Sequence, residues 1–194
     1  MNYSKYTNYS YAEILSKLRE HLDESRFNHS LNVQNVAIEL AKKNNADESK
    51  AGLAGLIHDY AKQRSDNQFI DIIKNKKFDP ELLQYNNGIW HGIVGTFFIE
   101  KELNIHDEQI LNAVRRHTVG SPNMTKLDKI IFVADFIEPN RNFPGVDEAR
   151  KLAYEDLDKA VWFEVYHTFL YLLKKQVKIY PGLLLTYNSL VSSN

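Results

Sequence analysis

The chain has 194 residues, of which 43% are hydrophobic and 25% are charged, and its formal net charge is −1. This length and composition suit one globular domain, so we expect a single domain over residues 1–194, with its core at about 22–190 and residues 1–10 loosely ordered. The near-zero charge gives no support for nucleic-acid binding, which usually shows a basic excess. The absence of cysteine excludes disulfides and thiolate ligands.

The first fifteen residues, MNYSKYTNYSYAEIL, are polar and rich in tyrosine. They lack the basic start and apolar centre of a signal peptide. Nor does any apolar run approach the length that a membrane span requires. The sequence therefore predicts a cytoplasmic protein with no membrane partner.

Apolar residues recur at helical spacing in nearly every long segment. In chain order, the predicted helices are YAEILSKLREHL, FNHSLNVQNVAIELAKKNN, SKAGLAGLIHDYAKQ, IWHGIVGTFFIEKEL, HDEQILNAVRRHT, KLDKIIFVADFIE and one or two within VDEARKLAYEDLDKAVWFEVYHTFLYLLKKQ. Gly120 stands where a glycine ends a helix, Thr125 and Asp128 are spaced as a capping box, and Pro139 closes the sixth helix. The alternation typical of strands is missing, which predicts an all-α, single compact helical bundle.

Six polar side chains interrupt these apolar segments: His29, His58, Asp59, His91, His117 and Asp135. A single histidine on an apolar face is usually a hydrogen-bonded core residue. Asp135 is harder to explain in that way, because an aspartate within KIIFVADFIEP needs a strong partner. Together the six predict a metal site, since imidazole nitrogen and carboxylate oxygen are the ligands that a first-row metal takes without thiolate.

The order of these residues resembles the metal motif of the HD-domain phosphohydrolases. That motif corresponds to His29, the pair His58-Asp59 and Asp135, while His91 and His117 match two additional histidines of many members. Six segments also resemble the bacterial YqeK family, from about residue 26 to residue 188: RFNHSLNV, AGLIHDYAK, IWHGIVG, RRHTVG, KIIFVADFIEPNRNFPGVDEARKLA and YPGLLLTYN.

The resemblance implies an HD-domain fold and a symmetrical dinucleoside tetraphosphatase, which cleaves diadenosine tetraphosphate into two ADP with bound iron. It also implies a homodimer. One position departs from the family, because Tyr180 stands where histidine often precedes the proline. The function expected from the sequence is therefore metal-dependent hydrolysis of a phosphoanhydride bond in a dinucleoside polyphosphate.

The expected metal ligands are His29, His58, Asp59 and Asp135, which would hold iron or another first-row divalent metal such as manganese or cobalt. A bound metal lowers the pKa of water and polarises a phosphoryl oxygen. One or two ions are expected, because His91 and His117 could complete a second site or instead donate hydrogen bonds to phosphate. The expected catalytic residues are His58, Asp59, His91, His117 and Lys62.

Further residues suit the phosphates and the nucleoside. The planar guanidinium of Arg141 matches phosphate geometry, Lys62 could bind phosphate or pair with a carboxylate, and Thr118 could donate its hydroxyl group. A Pro-Gly turn exposes backbone groups that suit a purine edge, and Tyr180 offers a stacking face. The expected nucleotide contacts are His29, Asp59, His91, His117, Thr118, Asp135, Arg141, Ile179, Tyr180, Pro181 and Gly182.

Two alternatives remain open at this point. The first is another HD nucleotide phosphohydrolase, such as a nucleotide or deoxynucleotide 5′-phosphatase. The second is a non-catalytic nucleotide-binding or RNA-associated module whose metal is only structural. The second is disfavoured, because a structural site would be closed and would not need Arg141 beside it, and because the net charge gives no support for RNA.

Overall fold

The computed structural model describes residues 1–191, and in this range all regular structure is helical. The eleven α-helices of the described range are α1 (Tyr11–His21), α2 (Glu24–Lys43), α3 (Glu48–Ile57), α4 (Asp66–Asn75), α5 (Asn87–Ile93), α6 (Thr96–Leu103), α7 (Glu108–Arg116), α8 (Lys126–Ile137), α9 (Val146–Glu155), α10 (Leu157–Lys175) and α11 (Pro181–Val191). A short 3-10 helix covers Pro80–Gln84. The predicted all-α fold is confirmed. None of these helices is both long and apolar enough to cross a membrane.

The local sequence signals set several helix ends. The capping box that opens α8 is present, because the Thr125 hydroxyl accepts a bond from the Asp128 amide at 3.2 Å and the Asp128 carboxylate accepts one from the Thr125 amide at 2.8 Å. After α7, Gly120 has a φ of +67°, and its amide donates to the Arg116 carbonyl oxygen at 2.8 Å. Helix α8 ends at Ile137, two residues before Pro139. These three predictions are confirmed.

Two predicted helices end earlier than their apolar patterns indicate. Helix α3 stops at Ile57, and residues 58–63 form tight turns in which the Lys62 amide donates to the Asp59 carbonyl oxygen at 2.8 Å. The segment IWHGIVGTFFIEKEL divides into α5 and α6 at Gly95, where an added Cβ would lie 1.8 Å from the His91 carbonyl oxygen. Glycine therefore allows a backbone approach there that a continuous helix would not make.

The sequence patterns also missed two helices. Helix α4 buries only Phe69, Ile72 and Ile73 in an otherwise polar segment, so its apolar face is narrow. Helix α11 begins at Pro181, where the sequence had indicated a break in helical structure. A proline suits the first position of a helix, because its fixed φ is helical and it lacks only an amide that would stay unpaired.

Helix packing brings the ends of several helices to one place. Helix α8 contacts α2, α3, α7 and α10, and α2 packs closely along α3. A Cβ added at Gly55 would lie 3.0 Å from the Val33 carbonyl oxygen, so this glycine permits the close approach. Near the start of the chain, Tyr3 is buried, and the Thr7 hydroxyl donates to the Leu103 carbonyl oxygen at 2.5 Å. Residues predicted to be loosely ordered thus contribute contacts to the core.

Candidate metal centre

All six polar side chains singled out by the sequence meet at one point inside the bundle. They come from α2 (His29), the turn after α3 (His58 and Asp59), α5 (His91), the end of α7 (His117) and α8 (Asp135). The first five are at most 6% exposed, and the Asp135 side chain is 20% exposed. The group is therefore buried but open to solvent on the side of Asp135.

The Asp59 carboxylate divides the histidines into two pairs. Its Oδ2 lies 3.6 Å from Nε2 of His29 and 3.4 Å from Nε2 of His58. Its Oδ1 lies 3.3 Å from Nε2 of His91 and 3.7 Å from Nε2 of His117. Asp135 joins the first pair, with its Oδ1 at 3.1 Å from Nε2 of His29. Asp59 is thus placed to bridge two neighbouring ligand groups.

Each histidine is oriented by a bond from the ring nitrogen that faces away from the centre. Nδ1 of His29 bonds to an oxygen of the Glu138 carboxylate at 3.1 Å. The other three bonds go to backbone carbonyl oxygens: from Nδ1 of His58 to Gly55 (2.7 Å), from Nδ1 of His91 to Asn87 (2.5 Å) and from Nδ1 of His117 to Val114 (2.7 Å). A backbone carbonyl can only accept, and so can the ionised Glu138 carboxylate, whose pKa is lowered by hydrogen bonds despite its burial, so in each neutral ring Nδ1 carries the proton and Nε2 presents a lone pair. Outer partners of this kind orient metal-ligating histidines.

The close spacing of these lone pairs fits a cation. Nε2 of His29 lies 3.2 Å from Nε2 of His58, and the corresponding distance between His91 and His117 is 3.0 Å. Two unprotonated nitrogens cannot form a hydrogen bond to each other, but both can bind one metal at about 2.0–2.1 Å. Oδ1 of Asp59 is buried without a hydrogen-bond partner, which is costly for an anion. The residues therefore fit a metal on each side of Asp59.

The pKa shifts of His91, His117 and Asp59 agree with the protonation states that metal ligands need, whereas the pKa of His58 is raised, because its burial is outweighed by the neighbouring Asp59 and Asp135 carboxylates. Burial lowers the pKa of His117 to about 4, and burial together with the Lys62 ammonium holds the pKa of His91 well below its usual range. For Asp59, burial opposes ionisation, but the combined effect of His58, His91 and the Lys62 ammonium outweighs it, and the carboxyl pKa lies well below its ordinary value. Neutral imidazoles and ionised carboxylates are the forms that bind metal.

Comparison with known proteins agrees with this geometry. The family model of the HD domain matches residues 26–140, which is more than half of the chain. The chain belongs to the HD-domain family. The resemblance stated from the sequence motifs is therefore confirmed, and the matched range includes all six side chains of the centre, from His29 to Asp135.

Several relatives of this HD-domain protein align with most of its length. A Bacillus subtilis protein named "Bis(5'-nucleosyl)-tetraphosphatase, symmetrical" is 46% identical over 182 residues, which are 94% of this chain and 98% of the relative. A Staphylococcus aureus protein of the same name is 41% identical over 84% of each chain. A crystal structure from Clostridium acetobutylicum, described as a "predicted HD superfamily hydrolase involved in NAD metabolism", has a TM-score of 0.91 at 39% identity and covers 96% of this chain and 99% of its own.

Cationic side chains surround the HD-domain centre. Lys62 Nζ lies 3.2 Å from Nε2 of His91, and the Arg141 guanidinium turns back to pair with the Asp135 carboxylate and to donate to the Asp135 carbonyl oxygen at 2.8 Å. Both residues were singled out from the sequence, and the structure brings both to the centre. Arg26 also reaches it, with Nη1 at 2.8 Å from Oδ2 of Asp59.

The sequence patterns missed three residues around the HD-domain centre. Arg26 lies three positions before His29 on the same face of α2, so helical spacing could have indicated it. Glu138 lies three positions after Asp135 and holds His29 from behind. Glu164 lies in α10, four positions after Ala160 and three after Val161, so helical spacing could also have indicated its burial.

Four side chains of the centre, Asp59, His91, His117 and Asp135, line a cleft of about 800 Å³. Its wall includes Lys62, Arg141 and Thr118, whose hydroxyl oxygen is buried without a hydrogen-bond partner. At its outer end, the rings of Tyr85 and Tyr180 meet edge to face, with centroids 5.0 Å apart. Among the described residues, those that form the wall do not include Ile179, Pro181 or Gly182.

Proposed function

We propose that this protein hydrolyses dinucleoside tetraphosphates symmetrically and converts diadenosine tetraphosphate into two ADP. The observation that carries the proposal is the position of the centre, in a cleft that holds both cationic side chains and an aromatic pair. Relatives with 41–46% identity bear the name of this activity. The cleft volume of about 800 Å³ is also within the range of about 300–1,000 Å³ that is common for small-molecule sites.

The four ligands proposed for the first metal are His29, His58, Asp59 and Asp135, and iron or another first-row divalent metal such as manganese or cobalt suits this nitrogen and oxygen set. A divalent metal supplies an activated water molecule and polarises a phosphoryl oxygen. The second group comprises His91, His117 and Oδ1 of Asp59. The Nε2 atoms of its two histidines lie close together and present lone pairs, which cannot donate hydrogen bonds to phosphate. This group therefore supports a second metal more strongly than direct phosphate binding.

The substrate phosphates are proposed to lie along the cationic wall of the cleft. Arg141 uses Nε and one Nη2 hydrogen on Asp135, and a guanidinium has five N–H donors, so further donors remain for phosphate. Lys62 and the unpartnered hydroxyl of Thr118 face the same space. Fixed donors of this kind stabilise negative charge that develops on phosphoryl oxygens.

One nucleoside is proposed to lie against Tyr180, with Tyr85 beside it. Both rings line the cleft, and an aromatic face stacks on a purine base. The backbone of residues 179–182 is proposed to contact the edge of the base, in the turn that leads into α11. Tyr180 thus offers an aromatic face where the YqeK family often has a histidine.

The expected products of diadenosine tetraphosphate are two ADP and no other nucleotide. If the cleft holds adenosine and two phosphates on one side of the centre, water attacks the second phosphorus, its bond to the bridging oxygen breaks, and the other half leaves as ADP. Chromatography of the early products measures the outcome. Equal amounts of AMP and ATP would contradict the symmetrical cut, and release of phosphate from mononucleotides alone would favour the nucleotide phosphatase alternative.

We also propose that two copies of the chain form a homodimer. One stripe of α10 carries exposed apolar side chains at spacings of four and seven residues, namely Trp162, Tyr166 and Leu173, which are 38–60% exposed. A stripe of this kind favours burial against a partner. Sedimentation is expected to give twice the chain mass of 22.6 kDa, and Leu173→Glu is expected to halve it, whereas a wild-type monomer would contradict the proposal.

Two further expectations from the sequence stay predictions. They are the cytoplasmic location and the absence of a nucleic-acid partner.

A further inference from the structure

A second cavity adjoins the cleft. Its volume is about 570 Å³, and it shares five wall residues with the cleft: Asp135, Arg141, Glu164, Thr168 and Tyr171. From this common wall the two cavities run toward different parts of the fold. The cleft extends to Tyr85 and Tyr180, whereas the second cavity extends to Phe143 and His167. A molecule that spans both cavities would therefore pass Asp135 and Arg141.

The second cavity has the chemistry of a site for a flat aromatic ring. The Phe136 and Phe143 rings pack with centroids 4.6 Å apart at an angle of 47°, and both are only partly buried. Opposite side chains include His167, whose ring stacks on Phe163 at 4.0 Å. Apolar and aromatic walls with few polar groups are typical of sites for purine-sized ligands. Lys174 adds one positive charge to this wall.

Glu164 adds a polar group at the junction of the two cavities. The residue is 6% exposed, and its Oε2 is buried without a hydrogen-bond partner. Burial raises the pKa of its carboxyl group well above the ordinary value, and the Asp135 carboxylate acts in the same direction. Glu164 thus places an unpartnered polar atom where a chain of phosphates would cross from one cavity to the other.

We infer that the second cavity binds the other nucleoside of a dinucleoside polyphosphate, so that the two halves of the substrate occupy two separate cavities that meet at Asp135 and Arg141. This inference rests on the proposed function. A symmetrical cut leaves an equal half, a nucleoside with two phosphates, on each side of the broken bond. The half that does not lie at Tyr180 needs its own space beside the same centre. The cavity at Phe143 provides that space.

The inference is tested by comparing diadenosine tetraphosphate with adenosine 5′-tetraphosphate, which lacks the second nucleoside. The metal-loaded protein is assayed as wild type, as Phe143→Ala and as Tyr154→Ala, a control whose exposed ring lies outside both cavities. The ratio of kcat/KM values, dinucleotide over mononucleotide, is expected to fall about tenfold in Phe143→Ala, as the loss of one aromatic contact would give. The ratio should stay at the wild-type value in Tyr154→Ala.

His167→Ala is the second cavity variant and is expected to lower the same ratio, which keeps the test decisive if Phe143→Ala does not fold. A ratio that matches wild type in the folded cavity variants overturns the inference. That result leaves the proposed function intact as long as the wild type produces two ADP. If the wild type does not cleave diadenosine tetraphosphate to ADP, the proposed function itself fails.

Discussion

Asp59→Asn is expected to lower kcat on diadenosine tetraphosphate by roughly a thousandfold or more, because metal ligation contributes several kcal/mol to transition-state stabilisation and each 1.36 kcal/mol is tenfold in rate. Among residues 1–191, Asp59 is the one side chain whose two carboxylate oxygens face both histidine pairs, at 3.3–3.7 Å. The amide has nearly the same shape but lacks the negative charge that offsets metal dications. Both ligand groups should therefore weaken together, and the metal content of the purified protein should fall with the activity.

Elemental analysis and steady-state kinetics on the same preparations measure both effects. Wild type is expected to contain iron or a similar first-row metal. Asp66→Asn is the matched control, since Asp66 is exposed in the first turn of α4, away from the cleft. An Asp59→Asn protein with wild-type metal content and rate would remove Asp59 from the centre. A metal-free wild type whose activity does not respond to added metal would remove the metal from the proposed function.

His117→Ala is expected to lower kcat by about a hundredfold while at least one tightly bound metal remains. His117 and His91 face Oδ1 of Asp59, whereas His29 and His58 face Oδ2 together with Asp135. The first ligand group therefore keeps all of its members in this variant. His91→Ala is expected to behave in the same way, because its Nε2 lies 3.0 Å from that of His117.

The number of metal ions bound per chain, measured for each variant, distinguishes two independent ligand groups from a single metal site that all the ligands share. His106→Ala serves as the control, since His106 is an exposed residue outside the cleft. If His91→Ala or His117→Ala loses all metal, the two ligand groups do not bind metal independently, and the proposed division of roles between them is wrong. An unchanged kcat in both variants would show that the second group takes no part in the reaction.

The chemistry of the centre could be predicted from the sequence to a large extent. His29 and Asp135 lie at helical spacing from apolar residues, so the sequence alone predicts that both side chains point toward the core. A polar side chain there needs a binding partner, which points to a metal. The helical class and the capping box at Thr125 are also local properties, because they depend on residues within a few positions of each other. The structure confirms the burial of His29, the helical class and the capping box, whereas the Asp135 side chain stays 20% exposed and pairs with Arg141.

The tertiary structure decided which atoms face each other. The bond between Nδ1 of His29 and Glu138 joins residues 109 positions apart, and local periodicity holds no information about such a pair. The burial of Glu164 could be inferred from its spacing to Ala160 and Val161, but its position at the junction of two cavities depends on how α10 packs.

The sequence by itself therefore determined the fold class and the residue types of the centre, since both follow from side-chain polarity repeated at helical spacing. Only the packing of α2, α3, α5, α7 and α8 decided that the two oxygens of Asp59 face two different histidine pairs. The physical reason is that a ligand group is defined by distances of about 3 Å between side chains on separate helices. Such distances depend on how the apolar faces of those helices fit together.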